Sequence, residues 1–96
     1  MTEPITVAHD EARHRYQALV GGEVAGTAYY RVREHKVFWH TEVKTEFEGK
    51  GVGSALAKGV FDDLRARGEQ AVFECPFLAA FLKRHPTYAD LALAHA

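Results

Sequence analysis

Hydrophobic positions alternate in the first half of the chain and recur every three to four residues in the second. Tyr16, Ala18 and Val20 fall two apart within residues 13–20, which predicts a strand with one buried face. Gly21-Gly22 follows as a two-residue hairpin signal. Residues 24–32, rich in aromatic and small side chains, predict the next strand, and Arg33-Glu34-His35-Lys36 a polar turn. Residues 37–43 predict a third long strand, and residues 5–8 a short one ahead of them all. Turns this short make the strands an antiparallel meander.

The period then changes. Val52, Leu56, Val60 and Leu64 lie four apart, with Ala55 and Phe61 beside them, one apolar stripe on a helix over residues 52–67. Arg65 and Arg67 suit its last turn, and Gly68 suits its C-terminal cap. Residues 69–75 predict another strand, with Val72 and Phe73 its most strand-like members. Pro76 fits the first position of a second helix whose apolar face is Phe77, Leu78, Phe81 and Leu82, ended by His85-Pro86. The order β-β-β-β-α-β-α gives an α+β fold, with helices on a mostly antiparallel sheet.

Between the third long strand and the first helix stands Glu48-Gly49-Lys50-Gly51-Val52-Gly53-Ser54. Alternate glycines leave the backbone bare, so a ligand can approach its N–H groups without meeting a Cβ. The helix behind adds unpaired N–H groups and the positive end of its dipole. Together they predict an anion site suited to phosphate. A nucleotide-binding Walker loop needs Lys followed by Ser or Thr, and Lys50 is followed by Gly51. A dinucleotide fingerprint fails as well: counted from Gly49 its last glycine falls on Ser54, and from Gly51 on Leu56. A tight turn without a ligand is the alternative, at a high cost in chain entropy for so many glycines.

Composition narrows the partners. Ninety-six residues fit one domain, 1–96, with one modest core. A net charge of −1 gives no general reason to bind nucleic acid or a membrane surface. No apolar run approaches the ~20 residues of a membrane span. The start, Met1-Thr2-Glu3-Pro4, lacks a basic segment and an apolar stretch, so no secretion signal is expected. Cys75 is the only cysteine, which excludes an internal disulfide and fits a reducing, cytoplasmic setting. The six histidines are scattered without metal-ligand spacing, so no metal is expected.

With these features in place, the residues around the loop, from Phe47 to Leu56, resemble the pyrophosphate loop of the GNAT superfamily of acyl-CoA N-acyltransferases. That loop reads Arg/Gln-x-x-Gly-x-Gly/Ala; Gly51 and Gly53 match, and Glu48 stands where Arg or Gln is usual. His40-Thr41-Glu42-Val43, Cys75-Pro76-Phe77 and Arg84-His85-Pro86 extend the likeness to the small, single-domain YjdJ-type group of that superfamily. The resemblance implies acetyl-CoA as co-substrate, lying between sheet and first helix. Its pyrophosphate would take N–H groups from Gly49, Lys50, Gly51, Val52, Gly53 and Ser54, beside Glu48. Its pantetheine arm would pair with backbone at about Val43. Phe77, Lys83 and Arg84 would flank the other side, with Lys50, Lys83 and Arg84 as charge partners or as ordinary solvated side chains.

The implied reaction transfers an acetyl group to an amine: a small molecule, a polyamine or a protein amine. The amine must lose a proton before it attacks. His40 and Glu42 lie two apart on one strand face, where imidazole can serve as acid or base and the carboxylate can orient it or act alone. Cys75 ends the next strand. If the two strands are neighbours, it meets His40 at the acetyl end and can carry the acetyl group, or it is a small buried hydrophobe. Tyr16, Tyr29, Tyr30 and Trp39 read as sheet packing. Larger GNAT proteins often place a tyrosine in the second helix for the departing thiolate; Leu82 occupies the matching region here, and Tyr88 lies beyond the His85-Pro86 break. Two rivals remain at this point: a CoA-binding sensor or interaction module without turnover, and a nucleotide-binding domain.

Overall fold

The computed structural model describes residues 4–93. The expected meander is present: β1 (Ile5–Asp10), β2 (Arg15–Val20), β3 (Glu23–Val32) and β4 (Lys36–Val43) pair antiparallel in sequence order. α1 (Val52–Arg67) follows, then β5 (Ala71–Phe73), which joins β4 in parallel, then α2 (Pro76–Arg84). The result is a five-stranded, mostly antiparallel sheet in the order β1-β2-β3-β4-β5.

Both helices pack on one face of it. Val52, Leu56, Val60 and Leu64, the four-residue stripe of α1, are all buried against Tyr16, Ala18, Ala28, Tyr30 and Phe38 of the sheet. The helix lies so close to β1 that a Cβ on Gly59 would stand 2.6 Å from Val7. Gly68 ends α1 at φ +67, donating its N–H to the carbonyls of Leu64 and Arg65. α2 runs beside α1 in the same direction, since Phe77 lies over Gly53 and the Phe81 ring stacks on Phe61. Past α2, a 3-10 stretch (Pro86–Leu91) continues along α1 in the same direction, held by Arg65 to Asp90 and by the Tyr88 hydroxyl to Asp62. Leu93 then donates its N–H to Ala71, which covers part of the outer edge of β5.

Three departures from the periodicity have local causes. Residues 13 and 14 are not strand: Asp10 accepts from the Arg13 N–H to close a 3-10 turn (Glu11–Arg13), and His14 is left-handed at φ 53. β1 continues past residue 8 to Asp10 because β2 pairs with it to that point. β5 stops at Phe73 instead of continuing to residue 75, because β4 turns away from it there. Among the described residues no helix is long and apolar enough to cross a membrane.

Candidate functional site

The site begins with one extra residue. Tyr29 pairs with His40 and Tyr30 with Phe38, so Trp39 has no partner of its own on β3. This β-bulge bends β4 and increases its twist. β5 follows β4 only as far as Phe38 and Phe73. The Phe38 carbonyl then accepts from both Glu74 (2.9 Å) and Cys75 (3.0 Å), and the two strands part. Beyond that fork one edge of β4 faces open space. Lys44 turns its N–H the other way, to the Ala25 carbonyl on β3. By strand alternation the N–H and C=O of Val43 point into the gap, where an extended ligand can pair with them. Val43 thus presents unpaired backbone groups at the open edge of β4.

The glycine loop faces the same end of the fork. Gly49 and Gly51 hold φ +79 and +80, a conformation that a Cβ strains, and nothing lies within 4 Å of where their Cβ atoms would be. Gly51 is the N-cap of α1 and supplies no capping side chain. The first N–H groups of the helix, at Val52, Gly53 and Ser54, are those without an intrahelical acceptor. Gly53 has a different reason for its missing side chain. A Cβ there would stand 2.8 Å from the Phe77 ring, so the packing of α2 on α1 favours glycine whether or not a ligand binds. Phe77 therefore braces the loop from the side, while remaining 37% exposed. Lys50 extends over the Phe47 ring, 5.8 Å from its centroid. Glu48 and Lys50 are both exposed beside the glycines.

Lys83 and Arg84 stand elsewhere. They end α2, six and seven residues past Phe77, or about 9–10 Å along the axis. Lys83 lines a shallow apolar hollow with Phe73, Leu82 and Leu93. The structure does not bring either to the loop.

The chemistry-bearing side chains divide between the two faces of the sheet. On the helical face the Cys75 thiol, 3% exposed, donates to the Thr41 hydroxyl at 3.2 Å, bridging the fork just beyond the point where the strands part. On the open face Glu42 accepts from the Tyr29 hydroxyl at 2.9 Å and lies 3.4 Å from His40 Nε2. The acceptor Glu42 raises the Tyr29 phenol above its usual range. Thr41 points to one face, and His40 and Glu42 to the other. Cys75 and His40 therefore do not meet directly, although their strands are neighbours. Tyr88 is also far from the fork, stacked on Phe61 and bonded to Asp62.

The sequence missed two partners, Thr41 and Tyr29, and left the face of Trp39 unassigned. Trp39, read as sheet packing, is 45% exposed and packs with Tyr29 and His40 on the open face of the sheet. A signal for this existed. Phe38 and Val43 both turn inward although they lie five apart, which a strand permits only if a residue between them is extra. Tyr16 and Tyr30 are core residues as expected.

The sequence model of the GCN5-related N-acetyl-transferase family matches residues 15–91. Protein NATD1 of Bos taurus is 30% identical over 86 residues, which covers 86% of this chain and 76% of that one. Protein NATD1 of Homo sapiens is 29% identical over the same length. Among solved structures, a GCN5-like N-acetyltransferase candidate from Staphylococcus aureus shares the fold with a TM-score of 0.66 at 21% identity, over 99% of this chain and 92% of that one. A ribosomal-protein-alanine N-acetyltransferase from Brucella melitensis gives 0.52 at 21% identity, over 85% of this chain and 62% of that one. The fork in the sheet, the uncapped glycine turn and the family match lead to one statement: this chain belongs to the GCN5-related N-acetyl-transferase family.

Proposed function

We propose that this protein transfers an acetyl group from acetyl-CoA to an amine. The observation that carries the reading is the fork between β4 and β5, opened by the Trp39 bulge and faced by the start of α1. Phosphates suit the amides of residues 49–54, where Gly49 and Gly51 leave open space and the helix dipole is positive. The pantetheine arm runs along the free edge of β4 at Val43. The thioester then reaches the apex of the fork near Phe38 and Trp39 from the helical face, and the amine arrives from the open face. Backbone N–H groups at a bulge are natural donors to the oxyanion of the tetrahedral intermediate.

His40 takes the proton shed by the amine, and Glu42 orients the imidazole from 3.4 Å. Thr41 and Cys75 lie across the floor of the fork and hold its width. This arrangement favours direct transfer over an acetyl-cysteine, because the thiol is buried and already engaged. Glu48, a carboxylate beside the phosphate site, weakens the grip of the loop relative to an Arg or Gln there, and Lys50 offsets it.

The test is release of CoA thiol from acetyl-CoA in the presence of a panel of primary amines, with binding followed separately by calorimetry. Amine-dependent release is expected. His40→Ala is expected to lower kcat by roughly 10²-fold, at the low end for a lost general base, with acetyl-CoA affinity kept. Tight CoA binding with no turnover of any amine would replace the enzyme reading by that of a CoA sensor.

A further inference from the structure

The open face of the sheet carries a cluster that transfer from acetyl-CoA does not itself require. The rings of Tyr29, Trp39 and His40 lie 5.5 to 5.8 Å apart pairwise, with planes tilted by no more than 33°. Three near-parallel rings at equal spacing tile a surface; they cannot all stack face to face. Glu42 stands at their margin, hydrogen-bonded to Tyr29. The other acids of this face have cationic partners: Asp10 holds Arg13 and Arg15, and Glu74 holds Arg31. Among the described residues, Glu42 has only the phenol and an imidazole. The rings already attract a cation, since the Arg31 guanidinium lies 5.6 Å from the Trp39 centroid.

We infer that Tyr29, Trp39 and Glu42 bind the acceptor, and that the acceptor is a lysine side chain carried by a polypeptide; this rests on the acetyl transfer proposed above. A primary ammonium satisfies the carboxylate, and the four-carbon stem of lysine lies along the aromatic faces. The hollow that Arg31 and Trp39 line on this face is open and shallow, whereas a free metabolite ordinarily needs a pocket that buries most of its surface. A side chain tethered to a larger ligand does not need such a pocket. The reaction balances as follows. The ammonium gives one proton to His40, and its nitrogen bonds to the acetyl carbon. The carbon–sulfur bond breaks with its electron pair on sulfur. Nitrogen then sheds a second proton, the thiolate takes up one, and one is released to water.

Trp39 is the only tryptophan in the chain, so its fluorescence reports on the site without turnover. Three probes with acetyl-CoA separate the sources of amine: an Nα-acetylated peptide with a single central lysine, the same peptide with a free N-terminus and a blocked lysine, and spermidine. The lysine peptide is expected to change Trp39 fluorescence saturably and to be acetylated most efficiently. Trp39→Leu is expected to raise KM for that peptide roughly fivefold or more, the scale of one lost cation–π contact, and to change KM more than kcat, with CoA affinity kept. Glu42→Gln is expected to raise KM as well and, because Glu42 also orients His40, to lower kcat. Preference for spermidine or for the free N-terminus overturns the inference, as does an unchanged KM in Trp39→Leu. In either case intact CoA binding and amine-dependent thiol release would leave the acetyl-transfer reading standing; loss of CoA binding in the unaltered protein would remove both.

Discussion

Gly51 shows how much of the site depends on one backbone angle. Its φ of +80 turns the chain out of the loop and into α1, so that the first amides of the helix face the fork. Any Cβ there costs about 1–2 kcal/mol in this conformation. Gly51→Ala is therefore expected to lower stability by that amount in thermal or denaturant unfolding. It should also weaken CoA binding by roughly tenfold, about 1.4 kcal/mol, as the turn shifts to relieve strain and the amides swing with it. Loss of stability without loss of affinity would show that these amides do not hold the cofactor. Gly53 is a poorer site for this test, because a side chain there strikes Phe77 whether or not a ligand binds.

Cys75 separates structure from chemistry at the same scale. Its thiol is buried and bonded to Thr41. Rapid-quench mass spectrometry after mixing with acetyl-CoA is expected to find Cys75 unmodified. An acetylated Cys75 that decays on adding amine would contradict direct transfer.

Among the elements, the contact between α1 and the first strands holds the least legible feature of the molecule. His9, on β1, stacks on the Tyr16 ring at 4.1 Å and shares a hydrogen bond with the Tyr30 hydroxyl at 2.6 Å. Its other nitrogen faces Arg67 at 3.1 Å and Asp63 at 3.5 Å from α1, with Lys36 and Glu11 contributing charge from further off. Burial first, and then the Arg67 guanidinium, hold its pKa below the usual 6.5. The unfolded chain therefore binds the proton more readily than the folded one. The stability His9 contributes is full above pH 6.5 and is lost as pH falls through the lower folded value. The thermal midpoint is expected to fall between pH 7 and pH 5, and His9→Gln to flatten that dependence. An equal slope in the variant would place the titrating group elsewhere.

Nothing in the sequence marked His9 apart from the other histidines, because its contact partners come from three separate segments, β2, β3 and α1. The stripe on α1 was plain, since each of its positions sees the same sheet. Strand faces were legible wherever pairing was regular, as at Tyr16 and Ala18. They were not legible at Trp39, where the extra residue turns two successive side chains outward. The same bulge opens the fork, so the part of the sheet that periodicity described least well is the part that builds the candidate site.

For the whole molecule, one-sided packing is the organising fact. Helices cover a single face of the sheet, and the fork passes between the covered face and the open one. The family loop and the second helix start were readable as motifs in the chain. The partition of Cys75 and Thr41 to one face and His40 and Glu42 to the other was not, because it follows from register. In the acetyl transfer proposed above, the same partition gives cofactor and acceptor opposite sides of approach.

The most direct measurement is backbone amide NMR of the protein titrated with CoA. Shifts concentrated at residues 49–54 and at Val43, saturating together, are the predicted result. Saturable shifts that leave this loop and β4 undisturbed, or no shifts at millimolar CoA, would contradict the placement of the cofactor and the acyl-transfer account built on it.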